Sequence, residues 1–376
     1  MAITIEPVTS PRQKRAFYNF AWRVYRHDPC WVPHLWPARK EYLDRRAAFF
    51  SYGEGQFWLA YRDGELVGTI GTGIDHVRNQ HLGEQMALFG FFEVLPDYDA
   101  AAAMWDHAAH WARERGLMRL LGPQSFTPNE DPGFLVEGFE TGPAVLMSHC
   151  PPYYHAFAER YGFKPGLESL AYRIEMASLG PNLEGLPPAM FRVAERARQR
   201  HGAVIRNPRL EDWEIEIDRL HAVYNRSLAV LPEFTPMPRE EFAAQALALK
   251  SLLDPDLVFI ATVEGQTAGF ALGLININEA FKHAGGLRYP WDYLRLLAAQ
   301  RRIKGASFKI LAMDPAYWGW GLDALMYVEM ARAVQRKGFT WVDASLTAAD
   351  NPQTNKLAAR AGMQPYRRYR AYSLDL

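Results

Sequence analysis

Two segments of the chain, residues 57–68 and 258–269, share one pattern of apolar and polar positions. In each segment an apolar run is interrupted by a tight turn, Asp63-Gly64 or Glu264-Gly265, and then resumes. Such runs are typical of two antiparallel strands joined by a short hairpin. The segments lie about 200 residues apart and further matches follow in the same order. The pattern therefore predicts an internal duplication.

The ends of the two halves also correspond. Residues 162–172 begin with Gly-Phe and end with Ala-Tyr, and residues 362–372 begin with Gly-Met and end with Ala-Tyr. Each half further contains a helical run that ends at a glycine, Gly116 or Gly338, after basic residues. Glycine after a basic last turn is typical of a helix C-terminus. Each half is thus predicted to place a helix after its central strand.

Residues 178–188, between the two halves, contain two glycines and three prolines, a composition typical of a linker. A chain of 376 residues is also longer than one ordinary hydrophobic core supports. We therefore predict an α+β protein of two domains, residues 1–177 and 189–376. Each domain is expected to be a mixed, mostly antiparallel sheet flanked by helices.

Composition narrows the partners and the compartment. The 42 basic and 42 acidic residues balance, so we expect no nucleic acid among the partners, because nucleic-acid binding favours a basic excess. Only Cys30 and Cys150 occur, too few for a disulfide framework, and we expect Cys150 to be a buried structural thiol. The N-terminus lacks a leader-peptide pattern and the apolar runs are strand-length. A cytoplasmic protein is expected, with peripheral contact at the inner membrane face left open.

The second half contains the most informative local motif. Residues 310–313 form an apolar, strand-like run, residues 314–321 contain Gly319 and Gly321, and a helical run begins at Leu322. A strand followed by a glycine-bearing turn and a helix N-terminus presents several backbone N–H groups to an anion such as a pyrophosphate.

This motif resembles the acyl-CoA loop of the GNAT superfamily, whose pattern is Arg/Gln-x-x-Gly-x-Gly/Ala after the fourth strand. Trp318 falls on the Arg/Gln position, Gly321 on the first required glycine and Asp323 on the last small residue, so two positions depart from the pattern. The resemblance implies two tandem GNAT-type domains and an acyl-CoA co-substrate in the second. Backbone N–H groups around Met313 are then expected to face the thioester carbonyl. The residues expected to contact the co-substrate are Met313, Trp318, Gly319, Trp320, Gly321, Leu322 and Asn351.

The first half departs from this pattern at the corresponding place. Residues 93–99 contain no glycine and three acidic residues, which would repel a pyrophosphate. We therefore expect the first half to keep the fold and to have lost the co-substrate.

A closer resemblance concerns the acceptor. It is carried by four blocks: residues 20–33, residues 129–139, residues 151–154 and residues 277–280. These blocks resemble a bacterial tandem-GNAT subfamily that includes the bacterial ceramide synthases. The resemblance implies transfer of a fatty acyl group from its CoA thioester to the amine of a sphingoid-type long-chain base. Two alternatives stay open: an acetyltransferase acting on a soluble small-molecule amine, and a non-catalytic acyl-CoA-binding or lipid-binding protein.

An insertion at residues 288–304 of the second half combines tryptophan and tyrosine with arginines. On a helix beginning near Pro290, Tyr293, Leu296, Leu297 and Ile303 are expected to share one face, with Arg295 and Arg302 on the other. This composition is typical of a helix that lies at an anionic membrane surface. The alternative is a helix that docks on its own domain with its arginines in water.

Attack of an amine on a thioester requires a group that removes a proton. Five residues are candidates for the general base, and a structural role is the alternative that we favour for each taken singly: Glu130, Glu137, His149, Glu279 and Asp314. Glu130, Glu137 and Glu279 belong to the subfamily blocks, Asp314 precedes the glycine loop, and a histidine titrates near neutral pH. No paired cysteines or His-x-x-x-His spacing occurs, so we expect no metal.

Overall fold

The structure is a computed structural model, and it describes residues 3–126, 133–230, 234–250 and 253–376. Glu130, one of the predicted bases, lies outside these residues.

Thirteen β-strands lie within the described residues and belong to one sheet. They are β1 (Ile3–Pro7), β2 (Gly53–Arg62), β3 (Glu65–Asp75), β4 (Met86–Val94), β5 (Arg119–Gly122), β6 (Phe134–Glu137), β7 (Lys164–Glu175), β8 (Val204–Arg206), β9 (Val258–Val263), β10 (Gln266–Ile275), β11 (Gly305–Met313), β12 (Trp341–Ala348) and β13 (Gln364–Asp375).

Twelve α-helices lie within the same residues. They are α1 (Pro11–Val24), α2 (Trp36–Leu43), α3 (His76–Leu82), α4 (Tyr98–Arg113), α5 (Tyr153–Tyr161), α6 (Pro188–His201), α7 (Trp213–Leu228), α8 (Arg239–Leu249), α9 (Asn278–Phe281), α10 (Pro290–Gln300), α11 (Leu322–Arg336) and α12 (Pro352–Arg360). None of these helices is long and apolar enough to cross a membrane.

The duplication is visible in the order of the elements. The predicted hairpins are β2–β3 and β9–β10. Each is followed by a central strand, a long helix and a parallel strand, β4–α4–β5 in the first half and β11–α11–β12 in the second. Both halves therefore contain the strand–helix–strand unit that the sequence predicts, and the fold class is confirmed as mixed α+β.

The two halves exchange their last strands. The sheet runs β1-β2-β3-β4-β5-β13-β7-β12-β11-β10-β9-β8, with β6 also paired to β13. Strand β7, which ends the first half, thus pairs with β12 of the second half, whereas β13, which ends the chain, pairs with β5 of the first. The predicted linker falls in the connection between β7 and α6. The predicted domains, residues 1–177 and 189–376, therefore each contribute a strand to the sheet of the other.

Each half keeps its own hydrophobic core. In the first half, α4 packs its alanine-rich face and Trp105 against the sheet, together with Phe92 and Phe134. In the second, α6 and α11 pack against β9, β10 and β11, with Leu322 and Met326 fully buried. Burial of apolar surface at about 25 cal/mol per Å2 makes such clusters the main stabilising contribution to each half.

Polar contacts tie the two halves together near α9. The Asn276 side-chain oxygen accepts a hydrogen bond from the Val145 amide at 2.9 Å. The Asn278 side chain donates to the backbone oxygens of Pro143 and Ala144 at 3.1 and 2.8 Å. Asn278, which belongs to the block 277–280, and Asn276, which directly precedes it, thus hold an interface between the halves.

Candidate active site

The sheet opens in the second half. Strands β11 and β12 run in parallel register from the pair Gly305–Trp341 to the pair Phe308–Ala344, and no registered pair follows. A cavity of about 470 Å3 lies where the two strands separate. This volume falls in the usual range of small-molecule sites, so the opening is the candidate active site.

Side chains from both faces of the sheet line this cavity. Met190 of α6, Met330 of α11 and Leu357 of α12 lie on one face, and Tyr224 and Leu228 of α7 on the other. The cavity therefore passes through the sheet between β11 and β12. Its lining is mainly apolar, which favours a ligand with a hydrocarbon part.

Helix α11 begins beside the opening without a side-chain cap. Its N-cap is Gly321, which adopts a left-handed conformation at φ +80°, and no side chain bonds the first-turn amides. An uncapped helix N-terminus attracts anions through its N–H groups and its dipole. Gly319 also has positive φ, at +81°, and a side chain there would meet open space. At Gly321 a Cβ would instead lie 2.6 Å from the Val193 side chain of α6.

The tryptophans of the loop are held by neighbours on the protein. The Trp318 indole N–H donates to the Met313 carbonyl oxygen at 3.3 Å, although the side chain is about half exposed. Trp320 stacks on His201 of α6 with ring centroids 4.2 Å apart. These contacts give the loop a defined shape beside the cavity.

Two of the predicted co-substrate contacts already have partners. The Met313 amide donates to the Ser227 hydroxyl of α7 at 2.9 Å, so this N–H group is occupied. The Asn351 side chain caps α12 by accepting from the Thr354 amide at 3.2 Å, and it also lines the cavity. Leu322 is fully buried in the second core.

The corresponding helix of the first half has an occupied N-terminus. The Asp97 carboxylate accepts from the Ala100 amide at 3.1 Å and caps α4. Arg62 grips the same carboxylate with two hydrogen bonds, of 2.8 and 2.7 Å. Although burial raises the pKa of Asp97, the hydrogen bonds from Arg62 and Ala100 outweigh it and hold the pKa below its usual value. A second anion would be repelled here.

The first half is closed at the place that corresponds to the opening between β11 and β12. The Gln124 amide donates to the Phe89 oxygen at 2.7 Å, so the chain after β5 stays against β4. At Gly90 a Cβ would lie 2.0 Å from the Gln124 oxygen, which shows how close the two backbones are. Phe91 and Phe126 pack beside them, with ring centroids 4.8 Å apart.

A buried ionic cluster lies at the wall of the second-half cavity. The Lys309 ammonium of β11 lies 3.0 Å from an Asp343 carboxylate oxygen of β12, and the two side chains are 8% and 0% exposed. Ser307 donates to the same carboxylate, and the Tyr366 hydroxyl donates to its other oxygen at 2.8 Å. Burial lowers the pKa of Lys309, while Asp343 opposes that shift. The sequence analysis missed these residues, although a lysine and an aspartate inside apolar strand runs were a signal for them.

Two of the predicted bases, both in the second half, accept hydrogen bonds from backbone amides. The Glu279 carboxylate accepts from the amides of Lys304 and Gly305, both at 2.9 Å, and so fixes the start of β11. Asp314 accepts from the Ala316 amide at 3.0 Å and from Arg226 of α7 at 2.6 Å. Neither carboxylate lines the cavity between β11 and β12.

His149 lies in a buried network between the halves. One ring nitrogen, Nε2, lies 2.7 Å from Asp28, and the other, Nδ1, lies 3.1 Å from an Arg367 guanidinium nitrogen. Because a guanidinium only donates, Nδ1 accepts and Nε2 donates to Asp28. Burial and Arg367 lower the pKa of His149, and they outweigh Asp28. Both nitrogens of this neutral ring are thus occupied by protein groups.

The remaining candidates lie elsewhere. Glu137 is exposed and pairs with Arg368 at 3.3 Å. Cys150 is buried, and its sulfur accepts from the Leu135 amide at 3.2 Å. The described part of the chain contains no group of three or more histidine, cysteine or acidic residues arranged to hold a metal ion. The structure therefore does not gather the four predicted bases that it describes, Glu137, His149, Glu279 and Asp314, into one site.

The comparisons with known proteins agree with this fold. Residues 15–130 match the family model described as Acetyltransferase (GNAT) family. The chain is 28% identical to Protein YghO of Escherichia coli (strain K12) over 368 residues, which cover 96% of this chain and 93% of that protein. It is 27% identical to the bacterial ceramide synthase of Caulobacter vibrioides (strain NA1000 / CB15N) over 390 aligned residues, which cover 100% and 98% of the two chains.

A solved structure matches the tandem architecture as a whole. It is a tandem GNAT protein from the clavulanic acid biosynthesis pathway, superposed with a TM-score of 0.59 at 14% identity over 100% of this chain and 98% of that one. Residues 15–130 thus match a GNAT domain, and the chain as a whole has the fold of two GNAT-type halves in tandem. It is thus an acyl-CoA N-acyltransferase, and acyl-CoA is the co-substrate of this family.

Proposed function

We propose that the protein transfers a fatty acyl group from acyl-CoA to the amine of a sphingoid-type long-chain base, and that it does so in the second half. The observation that carries the proposal is the mainly apolar cavity that crosses the sheet where β11 and β12 separate. A cavity open toward both faces gives the donor and the acceptor separate approaches to one point between the strands. Such an arrangement suits a transfer between two substrates.

The charged part of acyl-CoA fits the N-terminus of α11. The first-turn amides carry no side-chain cap, and Gly319 leaves open space in front of the loop. Asp323, one of the two departures from the family pattern, is exposed in the first turn, so its carboxylate has room to turn toward solvent. These amides would hold the pyrophosphate through hydrogen bonds and the helix dipole, and the thioester supplies an activated carbonyl carbon.

Support for a lipidic acceptor comes from the lining and from the relative. Met190, Met330 and Leu357 present hydrocarbon and thioether surface to the cavity, which suits an alkyl chain. The Caulobacter protein that is 27% identical over the full length carries the name bacterial ceramide synthase. A small polar amine would gain little from such a lining.

The predicted bases are arranged to support structure rather than proton removal. Glu279 and Asp314 bond backbone amides, and His149 has both nitrogens occupied. The acceptor amine must nevertheless lose a proton on acylation. We infer that the proton leaves through solvent in the cavity and is recovered by the departing thiolate, which is a stable leaving group.

The proposal is tested by narrowing the cavity. Ala358 is buried on α12 and lines the cavity, whereas its neighbour Ala359 is exposed. We expect Ala358→Phe to reduce the amide product from long-chain acyl-CoAs and long-chain amines, measured by mass spectrometry over a panel of chain lengths. Ala359→Phe is the matched control and should leave the product unchanged.

Two outcomes would contradict the proposal. If the wild-type protein acylates only short, soluble amines, the small-molecule acetyltransferase becomes the better function. If it binds acyl-CoA without forming any amide, the non-catalytic acyl-CoA-binding protein becomes the better function. Full activity of a folded Ala358→Phe variant would move the site away from this cavity.

We further propose that α10 brings the protein to an anionic membrane surface, where such lipid substrates reside. Three side chains of the helix, Trp291, Leu294 and Leu297, are 52%, 69% and 60% exposed. They recur every third residue, so they lie on one side of the helix. Arg301 and Arg302 at its C-terminal end are also exposed. Exposed apolar area flanked by cations suits an anionic lipid surface.

The helix does not present the face that the sequence predicts. Leu296 and Ile303 pack against the protein, whereas Tyr293 and Leu297 face solvent. Arg295 bonds the buried Asp292 carboxylate at 3.3 Å. The predicted face is wrong because the helix is partly docked on its own domain, which hides one side of the apolar stripe.

The membrane proposal is tested with Trp291→Ser/Leu294→Ser/Leu297→Ser and, separately, with Arg301→Glu/Arg302→Glu. Arg295 is left intact because it bonds Asp292. We expect both variants to bind anionic phosphatidylglycerol vesicles more weakly, and the wild-type affinity to fall with salt. The exposed pair Arg196→Glu/Arg200→Glu on α6 is the matched charge control. Equal vesicle binding by all variants would show that α10 does not contact the membrane.

A further inference from the structure

The Lys309–Asp343 pair is unusual for its position as well as for its burial. Lys309 lines a mainly apolar cavity, and its partner Asp343 is fully buried beside it. Taking two charged groups out of water is costly unless they are well paired. The strands they join, β11 and β12, are already held by backbone hydrogen bonds up to Phe308. A salt bridge is therefore not needed to hold this part of the sheet together.

Lys309 is the bulged residue of the central strand. In the register between β10 and β11, Gly273 pairs with Phe308 and Leu272 with Ile310, so Lys309 is the extra residue. Bulges re-aim a side chain and are frequent beside active sites. Lys309 is also the first residue of β11 beyond its last registered pair with β12. The bulge thus sets a cation at the point where the sheet opens.

The first half has a bulge in nearly the same place with different chemistry. The register of β3 and β4 shifts between Thr69 and Gly71, opposite Phe91 and its neighbour. Phe91 packs on Phe126 in the first half, where the corresponding opening is closed. The second half thus has Lys309 at the bulge where the first half has Phe91.

We propose that Lys309, positioned by Asp343, is a catalytic residue that donates a hydrogen bond to the carbonyl oxygen of the bound thioester during acyl transfer. This inference rests on the proposed function of the second half. It adds a side-chain hydrogen-bond donor, Lys309, which the fold class by itself does not determine. Ser307 and Tyr366 hold the Asp343 carboxylate from other sides, so Asp343 keeps a fixed place. It in turn fixes the ammonium.

The chemical step balances without a covalent change at Lys309. The acceptor nitrogen forms a bond to the carbonyl carbon, and the carbonyl electron pair moves to the oxygen, where the ammonium stabilises the negative charge. The pair then returns, the carbon–sulfur bond breaks, and the thiolate leaves. The proton lost by the nitrogen reaches the thiolate through solvent, so the products are the amide and the free thiol.

Four variants of the full-length protein distinguish a catalytic role of Lys309 from a structural role of the Lys309–Asp343 pair. Lys309→Met removes the charge at similar length, Lys309→Arg keeps it, Asp343→Asn removes the partner, and Lys309→Met/Asp343→Asn removes both charges. In the double variant no charge is left unpaired, so folding should recover relative to either single neutral variant. Stability is followed by thermal unfolding, acyl-CoA binding by calorimetry, and turnover by mass spectrometry.

We expect Lys309→Met and the double variant to lose turnover by a factor on the order of 10² to 10³, with acyl-CoA affinity nearly unchanged. Lys309→Arg should keep part of the activity. The pH profile gives a second readout. Wild-type turnover should fall as the pH rises through the lowered pKa of Lys309, and Lys309→Arg should move that fall to higher pH. Asp343 is the charged group paired with Lys309, and the tyrosines at positions 172, 224 and 327 line the same cavity.

Any of four results overturns the inference. Wild-type turnover in a folded Lys309→Met/Asp343→Asn variant would mean that the pair only fastens the strands. An unchanged high-pH limb in Lys309→Arg would mean that another group controls it. If the wild-type protein forms no amide at all, the proposed function fails, and this inference fails with it. Active wild type with active Lys309→Met overturns this inference alone.

Discussion

The two halves of this chain share one architecture and differ where a ligand would bind. In the first half, Asp97 and Arg62 occupy the N-terminus of α4, and Gln124 holds the chain against β4. In the second half, α11 begins at Gly321 without a cap, and a cavity lies between β11 and β12. The difference shows how a duplicated domain keeps its fold while its site is filled by its own side chains.

The largest effect on the free energy of unfolding is expected at Gly90, where the first half is closed. Gly90→Ala would place a Cβ 2.0 Å from the Gln124 oxygen and 2.8 Å from the Ser125 amide. Because these are backbone atoms, they cannot move aside without breaking the local structure. We expect the free energy of unfolding to fall by about 3 kcal/mol or more, measured by urea denaturation. Gly319→Ala, whose side chain would meet open space at φ +81°, is the comparison and should cost only the backbone strain of about 1 to 2 kcal/mol. A Gly90→Ala variant as stable as wild type would mean that the first half is not closed in this way.

A smaller loss is expected at the start of α11. Gly321→Ala adds a Cβ 2.6 Å from Val193 and forces alanine to φ +80°, so we expect about 2 kcal/mol of destabilisation. Combining it with Val193→Ala should recover the steric part and leave the backbone strain. If the double variant recovers stability but not acyl-CoA affinity, measured by calorimetry, the loop backbone contacts the co-substrate. No recovery would show that the contact with α6 is unimportant.

The cap of α4 should contribute about 1 kcal/mol. Asp97→Ala removes the cap and the partner of Arg62, and we expect lower stability with unchanged acyl-CoA affinity. The folded pKa of Asp97 is lowered, so its contribution is fully present above the unfolded pKa of about 3.9 and is lost as the pH falls through the folded value. Asp97→Asn keeps a side-chain acceptor without the charge and separates the two effects. A change in acyl-CoA affinity in either variant would place a site in the first half.

The smallest effect concerns His149, which joins the halves through Arg367. Its folded pKa lies below the unfolded value of about 6.5, so the unfolded chain binds the proton first as the pH falls. The free energy of unfolding should therefore decrease as the pH is lowered through that window and should be unaffected above it. His149→Gln should show a flatter profile between pH 7 and pH 5 in urea denaturation. An identical profile would mean that other groups cause the acid loss.

Much of the fold could be predicted because local patterns determine it. The hairpins at Asp63-Gly64 and Glu264-Gly265, the helix starting at Leu322 and the helix from Pro290 all lie where the sequence indicates. The exchange of β7 and β13 could not be predicted. The two strands carry the same Ala-Tyr pair at corresponding positions, and a repeated sequence pairs equally well with either neighbour. Local periodicity therefore cannot choose between the two arrangements.

The site was predictable only in outline. The glycine loop marks a helix N-terminus, because strand, glycine and helix follow one another along the chain. The Lys309–Asp343 pair joins residues 34 positions apart, and only the parallel pairing of β11 and β12 brings them together. The Glu279 carboxylate bonds the backbone amides at the start of β11, 25 and 26 residues further along the chain. Local sequence could not indicate this contact, because it depends on the fold.

Because the two halves exchange strands, they are intertwined within this single polypeptide, as the subunits of a strand-swapped dimer are. If it is cut between residues 178 and 188, each fragment carries a strand whose partners lie in the other, and each exposes an unpaired sheet edge. Neither fragment then has a complete fold on its own, whereas the two together still contain every strand pair. Co-expression of the fragments should therefore restore a protein that separate expression does not give. The second copy of the duplicated unit therefore depends on a strand of the first, even where the first binds no ligand.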